Sequence, residues 1–202
     1  ALDSICQKFL KLYNSCEILN AEKCLLCILD SDYKIPEGYG VFIYNGLGAT
    51  STVLGRYKDA LNYYNLAEKS INVKTESSAA LGDNYVNKAV IYGYQKSYQT
   101  AIDFFEKAIR IYLNSNSNKT NCYPNLASAY LNLGIIYYET QNYSLALDYL
   151  NKSSGIKSRM HLPGLVLVYL NIAKIYDKTK ALSHAEEYYL KGINNFIDEF
   201  GQ

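Results

Sequence analysis

The amino-acid sequence predicts an all-α fold, a solenoid of about five helix-turn-helix hairpins. Small residues recur at fixed offsets along the chain, and the apolar residues between them recur at helical spacing. A short polar segment separates the two apolar stripes of each unit, as expected for a turn between antiparallel helices. With 3 prolines and 12 glycines among 202 residues, the chain also has few of the turn residues that an all-β fold needs.

The repeat is defined by one alanine per unit, and these alanines lie about 40 residues apart. Another small residue stands twelve positions before each alanine, and a third stands seven positions after it. The three sets are Ala60, Ala101, Ala146 and Ala185; Gly48, Ala89, Gly134 and Ala173; and Ala67, Ala108, Ser153 and Gly192. Small side chains at these offsets let helices approach closely, and aromatic side chains fill the space beside each contact.

The repeats are expected within a single domain that covers residues 1–202. Their approximate limits are 41–74, 82–115, 127–160 and 166–199. Residues 1–37 are predicted to form a degenerate hairpin that caps the solenoid, with Phe9 where the later units have a small residue.

The connections within and between the units carry their own signals. Gly55 occupies the turn of the first complete unit, whereas the other turns have Lys96, Gln141 and Lys180 at that position. Those three turns are therefore expected to differ locally. Pro124 and Pro163 are expected just before or within the first turn of a helix, where the missing N–H of proline would have no partner in any case.

The third unit has Tyr130, Leu133, Gly134, Tyr137 and Ala146 at a characteristic spacing. With this spacing it resembles the tetratricopeptide repeat. The segments "YPNLASAYLNLG" and "LPGLVLVYLNIA" and the period near 40 residues are similar to the longer repeats of kinesin light chains and of bacterial regulatory proteins. The resemblance implies a right-handed α-solenoid in which the first helices of successive hairpins line a concave groove.

Composition argues against several classes of partner. The formal net charge is +1 and the isoelectric point is about 7.7, so the chain has no overall field that would attract nucleic acid or anionic lipid. The longest apolar run, "LVLVYL", is too short to span a membrane. The chain starts without methionine and without a recognisable signal peptide, which suggests a processed protein or an excised segment. We expect a cytoplasmic location; the alternative is a periplasmic or other extracytoplasmic one, if a signal peptide has been removed.

Catalysis is not expected. Cys24 and Cys27 form a CxxC pattern, but no second ligand pair for zinc accompanies it, and we predict that the 5 cysteines are small buried residues of a reduced protein. Cys122 and His161 occupy equivalent positions in consecutive units, yet packed helices about 8–10 Å apart would separate them beyond hydrogen-bond reach. No phosphate-binding loop, carboxylate pair or metal spacing is present. The prediction is therefore no enzymatic activity, no cofactor and no metal.

The strongest functional signal is an asparagine that recurs in the first helices, as Asn87, Asn132 and Asn171. A side-chain amide both donates and accepts hydrogen bonds, so a row of asparagines can hold an extended peptide backbone whatever its sequence. In related repeats such a row clamps the ligand. Alternatively, each asparagine ties neighbouring helices together or faces water. The flanking residues predicted to contact a ligand are Tyr94, Leu131, Ile135, Tyr138, Leu170, Lys174, Asp177 and Lys178.

These signals predict a scaffold for protein–protein interaction or peptide binding, as the regulatory or adaptor domain of a larger protein. The alternative is a free-standing receptor for a short signalling peptide that switches an effector. A neighbouring domain of the parent protein could also fill the groove. The expected partner is a protein or peptide segment, not nucleic acid or membrane. Recognition of acidic C-terminal tails is not expected, because only Asn87 matches the residues that such repeats use.

Overall fold

The structure is a computed structural model that describes residues 2–30, 35–36, 38–71, 78–114 and 119–200. Within these ranges the chain forms ten α-helices and no strand. In chain order they are α1 (Leu2–Asn14), α2 (Ile18–Leu29), α3 (Tyr39–Val53), α4 (Tyr57–Ser70), α5 (Ser78–Tyr94), α6 (Tyr98–Asn114), α7 (Lys119–Glu139), α8 (Tyr143–Arg159), α9 (Leu165–Lys178) and α10 (Leu182–Phe200). The predicted all-α fold is confirmed.

The helices pack two by two into hairpins, α1 with α2 and so on to α9 with α10, and each hairpin also contacts the next. The buried residues of the described chain form four clusters that follow one another along this stack, as expected for a solenoid. None of the helices in the described ranges is long and apolar enough to cross a membrane.

Every hairpin turns through one residue in the left-handed region. Gly55 has a φ of 72°, and Lys96, Gln141 and Lys180 have φ values of 59°, 60° and 63°. In the α7/α8 hairpin the amide of Asn142 donates to the carbonyl of Tyr137 at 2.8 Å, which closes the end of α7. The corresponding bond closes the other turns at 2.8 to 2.9 Å. The expectation that the turns without glycine differ locally is therefore wrong, because the capping bond imposes the same backbone conformation on lysine and glutamine.

The small residues of the repeat lie where the two helices of a hairpin are closest. A Cβ added to Gly134 would lie 2.8 Å from Cγ of Leu150, and one added to Gly48 would lie 2.5 Å from Cε1 of Tyr64. Ser153 approaches closely as well, and its buried Oγ donates to the carbonyl of Ala127 at 2.7 Å. The predicted role of these positions as close helix contacts is confirmed.

Stacked aromatic rings fill the space beside these contacts. The rings of Tyr137 and Tyr149 lie 5.5 Å apart and nearly parallel, at 7°. The ammonium group of Lys152 covers this stack, 4.7 Å from the Tyr149 ring centroid, at cation–π distance. The equivalent groups are Tyr92, Phe104 and Lys107 in α5/α6 and Tyr176, Tyr188 and Lys191 in α9/α10. This recurring stack contains five of the 22 tyrosines.

The first hairpin, α1/α2, packs on the solenoid through a bulky residue at a position where the later units have a small one. Phe9, which replaces the small residue of the later units, is buried against Gly46 of α3. A Cβ on Gly46 would lie 2.9 Å from Cζ of Phe9 and 2.5 Å from Cδ1 of Leu25. The bulk that α1 adds is thus accommodated by a glycine in the next hairpin.

The extra length of the repeat resides partly in α7, which has 21 residues. Pro124 lies inside this helix, five residues after its start at Lys119, so the expectation of a position before or within the first turn is wrong for Pro124. Pro163 does precede its helix, since α9 begins at Leu165.

Candidate binding groove

The first helices of the hairpins lie on the inner side of the solenoid. α3 contacts α5, α5 contacts α7, and α7 contacts α9, whereas no two successive second helices make a comparable contact in the described part of the chain. A stack whose first helices approach one another while the second helices diverge is curved toward the first helices. The concave surface is therefore formed by α3, α5, α7 and α9.

A cavity of about 400 Å³ opens between α5 and α7. Val90, Gly93 and Tyr94 form its α5 wall, and Asn132 and Ile135 belong to its α7 wall. Gly93 keeps the two helices close, because a Cβ there would lie 3.1 Å from Cδ1 of Ile136. A largely apolar lining with one amide is typical of a site that accepts an apolar group and orients it through a single polar contact.

The mouth of this cavity is aromatic and charged. Tyr94 is 62% exposed, and its ring stacks on Tyr57 with centroids 5.8 Å apart. Lys96, in the turn after α5, and Glu139, at the end of α7, also line the opening. A bound segment would meet one group of each charge beside an aromatic surface.

The three recurring asparagines differ in how their side chains are used. Asn171 donates from Nδ2 to the carbonyl of Leu167, one turn earlier in its own helix, at 2.7 Å. Asn87 and Asn132 are half-buried, and no described residue is recorded as hydrogen-bonding to either side chain. In the described part of the chain none of the three ties two helices together. Apart from Nδ2 of Asn171, their amide atoms have no recorded hydrogen-bond partner among the described residues.

The other predicted ligand contacts are distributed unevenly. Tyr94, Asn132 and Ile135 meet at the cavity between α5 and α7. Leu131 is only 7% exposed and belongs to the core cluster shared with Val168 of α9, so little of it is available to a ligand.

The predicted contacts nearer the C-terminus are separate from this cavity. Leu170 packs toward Gly192 of α10, with its Cδ2 3.5 Å from where a Cβ would stand. The ring of Tyr138 contacts that of Tyr143 at 5.9 Å. Lys174, Asp177 and Lys178 are exposed on α9.

Sequence reasoning did not include Lys96, Tyr98 and Glu139 among the ligand contacts. The sequence predicts Lys96 only as a turn residue, and Tyr98 and Glu139 belong to helix ends next to a turn. The signal that could have identified them is the turn itself, because the end of α5, the start of α6 and the end of α7 meet at one end of the cavity.

A second cavity of about 470 Å³ lies nearer the N-terminus, between α1, α3 and α5. Asp83 of α5 lines it and accepts hydrogen bonds from Asn125 of α7 at 2.7 Å and from the Tyr112 hydroxyl. Burial raises the pKa of the Asp83 carboxyl above the ordinary 3.8, although both hydrogen bonds oppose this effect. Asp83 thus connects three helices from two successive hairpins.

The cysteines do not match their predicted burial. Cys16 and Cys27 are exposed, and Cys6 and Cys24 are half-buried; all four are free thiols. Within the CxxC pattern the Cys27 thiol donates to the carbonyl of Cys24 at 3.0 Å, which is a local contact inside α2. No cluster of three potential metal ligands occurs among the described residues. The prediction for the side chain of Cys122 lies outside the described part of the chain.

The sequence matches family models described as tetratricopeptide repeat over residues 41–114 and 85–159, and again over residues 166–194. Because these matches cover more than half of the chain, the protein belongs to the tetratricopeptide repeat family. A comparison with curated protein sequences gave no match.

Solved structures share the whole architecture at low sequence identity. The apo form of RapI has a TM-score of 0.78 at 18% identity, over 96% of this chain and 69% of that one. PlcR of Bacillus thuringiensis, in complex with the peptide PapR7 and DNA, has a TM-score of 0.78 at 16% identity, over 98% and 70%. Repeats of a putative kinesin light chain from Podosopora anserina have a TM-score of 0.73 at 12% identity, over 100% and 97%. The predicted right-handed α-solenoid, similar to kinesin light chain repeats, is confirmed.

Proposed function

We propose that this tetratricopeptide repeat protein binds an extended peptide or protein segment along its concave surface, without catalysing a reaction. The observation that carries the proposal is the half-buried amide of Asn132, which no described residue engages and which borders an apolar cavity between α5 and α7. The amide is only half-buried, so a ligand backbone can replace water at its donor and its acceptor.

Two parts of the site divide the recognition between them. The Asn132 amide would donate to and accept from the ligand backbone, which is independent of the ligand sequence. The cavity, with a volume of about 400 Å³, has room for one bulky apolar side chain of the ligand. Backbone contacts would supply affinity and the anchor side chain would supply selectivity.

The fold supports this function in general terms, because tetratricopeptide solenoids serve as scaffolds for protein–protein interaction. One structural neighbour, PlcR, has been crystallised with a peptide. We infer a regulatory or adaptor role within a larger protein from the same features. The alternative, a free-standing receptor for a short signalling peptide, would use the same groove.

Selection of binders from a display library of random peptides tests the proposal. Titration calorimetry then measures the affinity of each selected peptide. We expect the selected peptides to share a bulky apolar residue. Asn132→Ala should weaken all of them by roughly tenfold, about 1.4 kcal/mol, because it removes a backbone contact. Tyr94→Ser should weaken the binding of bulky anchors more than that of small ones.

Asn151→Ala is the matched control, since Asn151 is an exposed asparagine on the second helix α8 and not on the concave surface. Circular dichroism should show the same helicity for all variants. If no peptide is selected, or if Asn132→Ala binds the selected peptides as tightly as the wild type, the proposal is wrong.

A further inference from the structure

A row of side chains along α5 joins the two cavities of the concave surface. Asp83, Asn87, Val90 and Tyr94 follow one another at intervals of three or four residues, so they share one face of the helix. Asp83 lines the cavity between α1, α3 and α5, and Val90 and Tyr94 line the cavity between α5 and α7. A segment that crosses α5 would therefore meet a carboxyl group, an amide and an apolar wall in that order.

The carboxyl group of Asp83 is only partly used by the protein itself. Both of its hydrogen bonds, from the Tyr112 hydroxyl and from Asn125, reach the same oxygen, Oδ1. No hydrogen bond to Oδ2 and no ion pair of Asp83 is recorded among the described residues. One oxygen thus anchors α5 to α6 and α7, whereas the negative charge has no recorded partner in the described part of the chain.

The negative charge of Asp83 is not needed for this anchoring. An amide oxygen accepts the same two hydrogen bonds, so asparagine at this position would keep them. Burial raises the pKa of the Asp83 carboxyl, because desolvation disfavours the charged form, and asparagine would avoid that cost. A charge that weakens folding and has no recorded partner is typical of a group that serves binding.

The cavity beside Asp83 fits the rest of a basic side chain. Its volume is about 470 Å³, and Asp83 is the only charged residue among the described residues that line it. Phe9, Val41 and Phe42 contribute apolar walls. Lys and Arg side chains bury their hydrocarbon stems along apolar surface and keep the charged end at a polar group. An acidic or phosphorylated side chain would instead bring a second negative charge close to Asp83.

Amide groups near Asp83 favour a peptide over a small free amine. Asn45 lines the same cavity; its Oδ1 accepts from Asn84 at 3.2 Å, and no partner of its Nδ2 is recorded among the described residues. Asn87, one turn after Asp83, likewise has no recorded hydrogen bond with a described residue. These donors and acceptors match a peptide backbone, which a free amine does not have.

The distance between the two cavities sets the spacing of the two side chains in the ligand. Val90 and Tyr94 lie seven and eleven residues after Asp83, which corresponds to about 10–16 Å along the axis of α5. The cavities lie on opposite sides of α5, so one interhelical spacing of about 8–10 Å separates them across the axis. The resulting distance of about 13–19 Å corresponds to about four to six residues of extended chain.

From these observations we propose that the segment bound on the concave surface carries a Lys or Arg about four to six residues from its bulky apolar residue, and that Asp83 binds this basic side chain. The inference rests on the proposed peptide binding and adds a second point of recognition to it. Asn132 and the cavity between α5 and α7 hold one part of the segment, and Asp83 selects a basic over an acidic residue in the other part.

Two parallel selections from a library of random peptides test the inference, one with the wild type as bait and one with Asp83→Asn. This variant keeps the oxygen that accepts from Asn125 and Tyr112, so it should retain the fold. We expect the wild type to enrich peptides with Lys or Arg about four to six residues from the bulky apolar residue. Peptides selected on Asp83→Asn should keep the apolar residue without that enrichment.

Titration calorimetry of a peptide selected on the wild type gives the size of the effect. Replacing its Lys or Arg with Gln should weaken binding to the wild type about tenfold and binding to Asp83→Asn about twofold or less, because the charge pair exists only in the first case. A zero-length carbodiimide cross-link between a peptide lysine and Asp83, mapped on the wild type by mass spectrometry, gives the same answer if Asp83→Asn does not fold.

Asp103→Asn is the matched control. Asp103 is an exposed carboxylate on the second helix α6, so the variant loses the same charge away from the concave surface. It should bind the selected peptide and its Gln form as the wild type does. Circular dichroism should show the same helicity for both variants.

Three results would overturn the inference. Selected peptides that share the bulky apolar residue but no basic one would leave the proposed groove standing and remove Asp83 from ligand recognition. A basic preference that persists in Asp83→Asn would assign the charge recognition to another acidic residue. Failure to select any peptide on the wild type would remove the peptide binding itself, and with it the role of Asp83.

Discussion

Asn132 and Asn171 occupy equivalent positions, yet their side-chain amides are used differently. Nδ2 of Asn171 donates to the Leu167 carbonyl of its own helix, whereas the amide of Asn132 has no recorded hydrogen bond with a described residue. A bound peptide would compete with an existing bond at Asn171 but not at Asn132. We therefore expect Asn171→Ala to weaken peptide binding, measured by titration calorimetry, less than Asn132→Ala does.

Gln141 adopts a left-handed backbone conformation, which is strained for a residue with a Cβ atom. It adopts a φ of 60° at the end of α7, where glycine would be less strained. Gln141→Gly should therefore raise the free energy of unfolding, by about 0.5–1 kcal/mol, after allowing for the greater freedom of glycine in the unfolded chain. Urea denaturation followed by circular dichroism measures the change.

Gly55→Ala is the complementary variant, because Gly55 has a φ of 72° at the equivalent turn and no atom within 4 Å of an added Cβ. It should lower the free energy of unfolding by about 1 kcal/mol through backbone strain alone. If Gln141→Gly were destabilising, the left-handed conformation would not be the dominant effect at this turn.

At the scale of secondary-structure elements, each hairpin depends on a bulky side chain that packs over a small one. In α7/α8 these are Leu150 and Gly134, and the neighbouring Ser153 hydroxyl adds a buried hydrogen bond to Ala127. The close approach brings the aromatic stack of Tyr137 and Tyr149 into register. Helix separation, and not helix propensity, is therefore what glycine provides at this position.

Gly134→Ala should destabilise the protein by about 1–3 kcal/mol, although alanine is the better helix former, because its Cβ would lie 2.8 Å from Cγ of Leu150. In the Leu150→Ala background the same substitution should cost much less. Denaturant unfolding of the four proteins in this cycle measures the coupling.

Gly155→Ala is the control for helix propensity, since Gly155 lies inside α8 with no atom within 4 Å of an added Cβ. It should stabilise the protein by about 0.5–1 kcal/mol. A Gly134→Ala variant that is as stable as Gly155→Ala would show that Leu150 can move aside.

Asp83 connects α5 to α6 and α7, and its contribution to stability depends on pH. Its pKa is raised mainly by burial, so the folded state binds a proton more tightly than the unfolded state does. The stabilising contribution of that proton is complete below the unfolded pKa, and it is lost as the pH rises through the folded pKa, which lies above 3.8. Above the folded pKa, the ionised carboxylate of Asp83 is therefore less favourable in the folded protein than the protonated carboxyl.

Asp83→Asn retains an oxygen that accepts from Asn125 and Tyr112 but has no charge to desolvate. We expect this variant to be more stable than the wild type at pH 7, with the advantage shrinking as the pH falls toward 4. Unfolding free energies from urea titrations at several pH values give the difference, which cancels the contributions of the other carboxylates. An advantage that grows on acidification would contradict the assignment.

At the scale of the whole molecule, the stacking of the helices produces the proposed groove. First helices contact one another along the stack, and no two successive second helices make a comparable contact in the described part of the chain, so the inner side is concave. The protein therefore offers a concave surface on which an extended segment could lie.

Much of this architecture was already predictable from the repeat. The offsets of the small residues predicted the hairpins and the close contacts, because only glycine, alanine or serine fits between packed helices. The local difference expected for the turns with Lys96, Gln141 and Lys180 was wrong, since a capping hydrogen bond outweighs about 1 kcal/mol of backbone strain. The backbone conformation of these turns is therefore set by the helices that they connect more than by the residue at the turn.

The fold class, the repeat and the recurring asparagines follow from the amino-acid sequence alone, because all three are periodic patterns of residue types. Only the packed helices show which predicted residues share a cavity, that Leu131 is buried in the core, and that Asn171 bonds within its own helix while no described residue is recorded as bonding to the Asn132 side chain. These properties depend on distances between residues that are far apart in the chain, and only the packed helices specify those distances.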